Sequence, residues 1–116
     1  RELVKKEPDS AQSHYKLGSA YLKDSLFYDA IEELSRAVFL KNEFAQAHNN
    51  LGCAYASIKE FKEAIREFNI ALSLDKDYAD AYSNIGVYYA NMNRFKKARF
   101  YLNKALSIEP GHEKSL

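Results

Sequence analysis

The first candidates for chemistry in this chain are one cysteine, Cys53, and three histidines, His14, His48 and His112. A thiolate and an imidazole can form a nucleophile and base pair, and both bind metal ions. A single cysteine excludes an internal disulfide and any zinc site with several cysteines. The sequence places no cation beside Cys53 to activate its thiol, so we expect it to be inert. His14 and His48 lack the further ligands that a zinc ion needs, so we expect them to pack and predict no metal site.

No other catalytic pattern is present in the 116 residues. The chain contains no phosphate-binding GxxxxGK[ST] loop, no HExxH and no GxSxG. Glu32 and Glu33 are adjacent on a predicted helix, so their carboxylates diverge and cannot share a substrate. We therefore predict that the protein is not an enzyme and that it uses no cofactor.

Composition limits the classes of partner. The formal net charge is +1, with 47% apolar and 28% charged residues, which is ordinary for one globular domain. A balanced charge argues against a nucleic-acid partner, and no apolar run approaches the ~20 residues that span a bilayer. We expect a partner that is neither nucleic acid nor membrane.

The elements that position these residues follow a strict repeat. Gly18, Gly52 and Gly86 are 34 residues apart, and four further columns share this step. These columns are Tyr21/Tyr55/Tyr89, Phe27/Phe61/Phe95, Ala30/Ala64/Ala98 and Ala37/Ala71/Ala105. A fixed period of this length is typical of a solenoid of supersecondary units, each of which needs its neighbours to bury an apolar face.

Each unit contains two stretches with apolar residues at helical spacing. The predicted helices are 11–23 and 27–40, 45–57 and 61–74, and 79–91 and 95–108. Glycine inside a helix costs about 1 kcal/mol relative to alanine, so its recurrence indicates close approach of the second helix to the first.

These residues resemble the tetratricopeptide repeat (TPR) family. The family's Leu-Gly pair is matched by Leu17-Gly18, Leu51-Gly52 and Ile85-Gly86, and its large apolar residue at the twenty-fourth place by Leu34, Phe68 and Leu102. Pro110 stands at the closing proline, which Asn42 and Lys76 replace in the earlier units. The 34-residue step disfavours the 35-residue, RNA-binding pentatricopeptide family.

The resemblance implies an all-α, right-handed solenoid of three helix-turn-helix hairpins. The expected boundaries are 11–44, 45–78 and 79–112, with 1–10 as the end of a preceding repeat and 113–116 as a tail or the start of a further helix. It also implies a concave groove lined by the first helix of each hairpin. The groove residues expected on this frame are Gln12, Tyr15, Lys16, Ser19, Gln46, Asn49, Asn50, Cys53, Asp80, Ser83, Asn84, Val87 and Asn91.

The polar residues in this set favour a peptide partner. Asn50 and Asn84 share the sixth place of successive repeats, and similar asparagines in some family members grip a peptide backbone; the alternative is that they are merely solvated. The family's carboxylate clamp for chaperone tails would need lysine, two asparagines, lysine and arginine at places that here hold Tyr15, Ser19, Asn50, Asp80 and Asn84. We therefore predict a protein-binding adaptor without chaperone-tail binding.

The third repeat suggests an alternative function. No acidic residue occurs between residues 81 and 108, and the predicted basic surface comprises Arg94, Lys96, Lys97, Arg99 and Lys104. Extra aromatics also occur in this repeat. The alternative is a structural assembly module that forms homo-oligomers through its ends and this basic hairpin, although most such charge runs are solvated helix faces.

Overall fold

The computed structural model describes residues 10–110, which form six α-helices and contain no strand. In chain order these are α1 Ala11–Lys23, α2 Phe27–Leu40, α3 Ala45–Ser57, α4 Phe61–Leu74, α5 Ala79–Asn91 and α6 Phe95–Ile108. The all-α repeat fold predicted from the 34-residue period is confirmed. Outside the described residues lie the predicted end of a preceding repeat, except Ser10, the last two residues of the predicted third repeat, including His112, and the predicted tail 113–116.

The turn inside each hairpin has the same geometry three times. Ser25, Lys59 and Asn93, 34 residues apart, adopt left-handed φ angles of 63°, 67° and 61°. In the first turn the Leu26 N–H donates to the Tyr21 carbonyl at 2.9 Å and the Ser25 N–H to the Leu22 carbonyl at 3.0 Å. This is the Schellman arrangement, which satisfies the last helical carbonyls and reverses the chain.

The recurring glycines allow the two helices of each hairpin to meet. A Cβ atom on Gly52 would lie 2.7 Å from Cε1 of Phe68 and 3.1 Å from the Ala64 carbonyl oxygen. On Gly18 it would lie 2.7 Å from Cγ of Leu34. These distances are shorter than carbon–carbon contact allows, so the close approach expected at these positions is present.

The core runs continuously from one hairpin to the next. Ala30 and Leu34 of α2 pack with Leu51 and Ala54 of α3 in one buried cluster. Residues of α4 form a further cluster with Ile85 of α5. Because each second helix packs against the first helix of the following hairpin, the chain is elongated, with extents of 49 × 25 × 21 Å.

Candidate peptide-binding groove

The first helices of the three hairpins lie side by side, because α3 contacts both α1 and α5. The predicted groove residues on these helices differ in exposure. Exposed are Gln12, Lys16, Gln46, Val87 and Asn91, and half-buried are Tyr15, Ser19, Asn50, Cys53, Asp80 and Asn84. The exposed and half-buried members of this surface are therefore mainly polar.

The groove prediction is wrong for two residues. Asn49 is only 3% exposed and Ser83 is fully buried, so neither can meet a peptide in the groove. Asn49 is buried because α5 lies against α3 at this point, where the Asn84 Nδ2 donates to the Asn49 Oδ1 at 3.0 Å. In the second repeat, the fifth place therefore faces the following hairpin. Tyr15 behaves in the same way, with its ring 4.8 Å from that of Phe44.

The two groove asparagines join neighbouring first helices. The Asn50 Nδ2 donates to Ser19 Oγ at 2.9 Å, and the Asn84 Nδ2 also lies 3.4 Å from Cys53 Sγ. Both contacts connect the sixth place of one repeat with the ninth place of the preceding repeat. An amide carries acceptor as well as donor capacity, so these bonds orient the carboxamides and commit their N–H groups.

A pocket of about 350 Å³ opens between the second and third hairpins. Its apolar lining comes from all three neighbouring helices: Ala56 on α3, Phe61 and Phe68 on α4, and Val87 and Tyr88 on α5. Side chains buried on both sides hold Phe68 in place, since it packs with Ala64 and Ile85. Phe68 thus gives the pocket one wall that belongs to the buried core.

Four polar residues complete the lining of this pocket. Cys53, Asn84 and Asn91 are three of the predicted groove residues that the structure brings together here, and Lys59 comes from the left-handed position of the turn. Among the described residues that line the pocket, Lys59 is the one that carries a charge. Its ammonium group forms no salt bridge within residues 10–110. The participation of Lys59 was not predicted from the sequence.

His14 and His48 pack between helices, as expected, but each also binds a glutamate that the sequence did not suggest. His48 is 7% exposed; its Nδ1 lies 2.8 Å from Glu67 Oε1 and its Nε2 lies 3.0 Å from the Asn42 carbonyl oxygen. His14 Nδ1 lies 2.7 Å from Glu33 Oε1. Both pairs span 19 residues and connect the two helices of a hairpin. That recurring spacing was the signal available in the sequence.

The third hairpin replaces this pair with aromatic rings. Tyr82 and Tyr101 stand at the equivalent places, with their ring centroids 6.4 Å apart, and Tyr101 stacks on Tyr89 at 5.7 Å. Tyr88 contacts both Tyr89 and Phe61 of the preceding hairpin, with centroid distances of 5.0 and 5.1 Å. Several of the surplus aromatics therefore form one packed row that reaches the pocket.

All five residues of the predicted basic surface are exposed. Two of them lie against rings of α5: the Lys97 Nζ is 5.1 Å from the Tyr89 centroid and the Lys104 Nζ is 5.9 Å from the Tyr82 centroid. Two acidic side chains of the first hairpin are paired within that hairpin. Glu33 is held by His14, and Glu32 pairs with Arg36 at 3.1 Å.

Burial changes the acidity of two tyrosines at the helix interfaces. Burial raises the pKa of Tyr78 well above its ordinary value, and the nearby Asp80 carboxylate adds to the effect. Burial also raises the pKa of Tyr55, with Glu67 as the next cause. Both phenols therefore stay neutral at physiological pH and act as packing and hydrogen-bonding groups.

Within residues 10–110, no three His, Cys, Asp or Glu side chains are placed to hold a metal ion. In the same part of the chain, no helix has both the length and the apolar character needed to cross a bilayer.

Comparisons with known proteins support the repeat. Three family models match: tetratricopeptide repeat over residues 1–46, TPR repeat over 54–93, and tetratricopeptide repeat over 79–112. A search of curated protein sequences gives no match.

Several solved structures share the fold. One crystal structure of MamA is 35% identical, with a TM-score of 0.87, and the match covers 98% of this chain and 67% of that one. A second MamA crystal structure is 36% identical, with a TM-score of 0.85 and coverage of 97% and 61%. The chain thus spans about two thirds of the length of these relatives.

A more distant match is the second TPR domain of human RPAP3, solved in complex with the HSP70 peptide SGPTIEEVD. It is 25% identical, with a TM-score of 0.81, and the match covers 90% of this chain and 88% of that one. Together with the three matching models and the 34-residue period, these similarities show that the chain belongs to the tetratricopeptide repeat family.

Proposed function

We propose that this protein is an adaptor that binds an extended peptide segment of a partner protein in the groove formed by α1, α3 and α5. The observation that carries the proposal is the pocket of about 350 Å³, which opens beside exposed polar groups on the same helices. Binding sites typically combine a concave apolar surface with a few oriented polar groups. Here Asn84 is such a group, because its contacts with Asn49 and Cys53 fix its carboxamide.

We further propose that the ligand is not a carboxylate-ended chaperone tail. The human RPAP3 domain was solved with such a peptide, but its likeness to this chain is a likeness of scaffold. At the places of the family's clamp, this chain has Tyr15 packed on Phe44 and an acidic Asp80. A carboxylate beside Asp80 would be repelled rather than held.

The test selects ligands from a random peptide display library and measures their affinity by fluorescence anisotropy. We expect Val87→Arg to weaken the selected peptides at least about tenfold, because it places a charged chain in the pocket mouth (a loss of about 1.4 kcal/mol). Phe39→Arg is the matched control, since Phe39 is an exposed apolar residue outside the groove. Peptides that bind Val87→Arg as well as the parent protein would place the binding site elsewhere. Micromolar binding of SGPTIEEVD would overturn the exclusion of the clamp.

A second candidate function is self-association through the third hairpin, and one observation favours it. Phe95 is 60% exposed, whereas Phe27 and Phe61 at the equivalent places are half-buried. The ring of Phe61 is covered by Tyr88 of the following first helix. The face of α6 therefore repeats a surface that elsewhere accepts another helix, and a second copy of the chain can supply that helix.

Sedimentation velocity over a range of concentrations tests this candidate. Self-association predicts a sedimentation coefficient that rises with concentration and a rise that Phe95→Glu abolishes. Phe39→Glu is the matched control, because it removes an exposed phenylalanine of the first hairpin. A coefficient independent of concentration in the parent protein would refute the candidate.

A further inference from the structure

The pocket between the second and third hairpins restricts which peptides the groove accepts. Its volume of about 350 Å³ is near the lower end of the ~300–1,000 Å³ typical of small-molecule sites. That size suits one bulky side chain rather than a folded surface. The walls contributed by Phe61, Phe68 and Val87 favour an apolar side chain, because burial of apolar surface is the main gain on offer there.

Charge at the same pocket restricts the neighbouring residue of the peptide. Lys59 is exposed, lines the pocket and forms no salt bridge within residues 10–110. Its ammonium group can therefore pair with a carboxylate without first breaking an internal bond. A basic residue beside the anchor would meet Lys59 and be disfavoured.

Residue size explains why the pocket is open at this interface. Ala56 lines it, while the equivalent residue of the first hairpin is Leu22, which packs against the cluster containing Leu34 and Leu51. The exchange of a leucine for an alanine removes three carbon atoms from the wall. A leucine restored at this place, as in the first hairpin, should therefore fill part of the opening.

On the basis of the proposed groove, we propose that this pocket is an anchor site for one apolar side chain of the partner peptide, with an adjacent acidic residue paired to Lys59. A peptide that binds in the groove need not use this pocket. The test of the pocket therefore uses small disulfide probes instead of a selected peptide.

The experiment uses Cys53, the single cysteine of the chain, which lines the pocket. Its thiolate attacks a symmetrical disulfide, forms a mixed disulfide and releases one equivalent of thiol. The reduced protein is equilibrated with bis(2-phenylethyl) disulfide or with bis(2-hydroxyethyl) disulfide at graded 2-mercaptoethanol concentrations. Intact-mass spectrometry then measures the labelled fraction. If the pocket is an apolar anchor site, the phenylethyl adduct should persist to a 2-mercaptoethanol concentration about tenfold higher than the hydroxyethyl adduct does.

Ala56→Leu should remove most of this preference, because it fills the pocket. Ala90→Leu is the matched control, since Ala90 holds the same place in the third repeat and does not line the pocket. Circular dichroism confirms that both variants fold. Equal retention of the two adducts on the parent protein, or a preference that Ala56→Leu leaves intact, would overturn the anchor site.

The acidic neighbour is tested with phenylethyl disulfides that carry a ring carboxylate or a ring aminomethyl group. We expect the carboxylate adduct to be retained about threefold more at low salt, and the difference to fall with added salt. Lys59→Gly removes the charge while keeping the left-handed turn, and should abolish the difference. Ser25→Gly, at the equivalent turn of the first hairpin, should leave it unchanged. A difference that survives in Lys59→Gly would contradict the pairing.

Discussion

Replacement of Gly52 by alanine tests whether the repeated glycine exists for helix contact. The new Cβ would lie 2.7 Å and 2.8 Å from two ring atoms of Phe68 and 3.1 Å from the Ala64 carbonyl oxygen. The ring is 2% exposed and rigid, and the carbonyl belongs to a helix backbone, so α3 and α4 must separate. Overpacking of this kind costs about 1–3 kcal/mol, and the better helix propensity of alanine returns about 1 kcal/mol. Because the new atom meets both a rigid ring and a helix backbone, the cost should lie in the upper half of that range, which leaves a net loss of about 1–2 kcal/mol.

Gly86 supplies the matched comparison. A Cβ there would lie 2.8 Å from the Cγ and Cδ2 atoms of Leu102, a flexible side chain that is partly exposed, and 3.3 Å from a backbone oxygen. The leucine can move, so its displacement and the gain in helix propensity roughly cancel, and Gly86→Ala should change stability by no more than about 0.5 kcal/mol.

Urea unfolding followed by far-UV circular dichroism measures both variants. A loss of about 1–2 kcal/mol corresponds to a fall in Tm of roughly 4–8 °C for a chain of 116 residues. The Phe68→Leu variant tests whether the Phe68 ring causes the loss of stability. The first and third hairpins have leucines, Leu34 and Leu102, at this place. In the Phe68→Leu background, Gly52→Ala should cost at least about 1 kcal/mol less. If Gly52→Ala proves neutral, or costs no more than Gly86→Ala, then steric contact with Phe68 does not explain the glycine.

Three further predictions concern the turns, the buried pair and the phenols. Ser25→Gly and Lys59→Gly should each stabilise the protein by about 1 kcal/mol in urea unfolding, because both residues have left-handed φ angles, and an unchanged midpoint would contradict this. His48→Ala should cost about 3 kcal/mol, because it leaves the buried Glu67 carboxylate with only the more distant Arg66 at 3.8 Å, and a double-mutant cycle with Glu67→Ala should show coupling above about 1 kcal/mol. Because the pKa of Tyr78 is raised on folding, the unfolded state loses its proton first, and stability should fall above about pH 10; Tyr78→Phe should make this fall shallower.

The helices were predictable from the sequence because the repeat determines them three times over. Gly18, Gly52 and Gly86 define the period, and the predicted and observed helix bounds agree. The contacts between hairpins were less predictable, because a repeat frame specifies which face of a helix a residue occupies but not how closely the next helix approaches that face. Asn49 therefore matched the groove pattern and is nevertheless buried by its contact with Asn84.

The His–Glu pairs also show that a repeat frame does not specify the contacts between helices. His14 and His48 stand where the family has a large packing residue, and packing was expected of them. Their hydrogen bonds to Glu33 and Glu67 depend on a contact 19 residues along the chain, which helical periodicity within one element cannot reveal. Comparison of the three repeats does reveal the pairing. The histidine and the glutamate, 19 residues apart in the first two repeats, are both replaced by tyrosine in the third, Tyr82 and Tyr101.

The candidate site arises from a difference between repeats rather than from what they share. The shared columns bury Ala64 and Phe68 and build the same scaffold at each interface. The pocket opens where the second hairpin has Ala56 in place of the leucine of the first, and its charge comes from a lysine at a turn position. Because the residues that all three repeats share serve mainly as scaffold, the lining places at which the repeats differ are the ones that should determine the partner. Ala56 and Lys59 are therefore the residues whose replacement should change ligand preference without unfolding the protein.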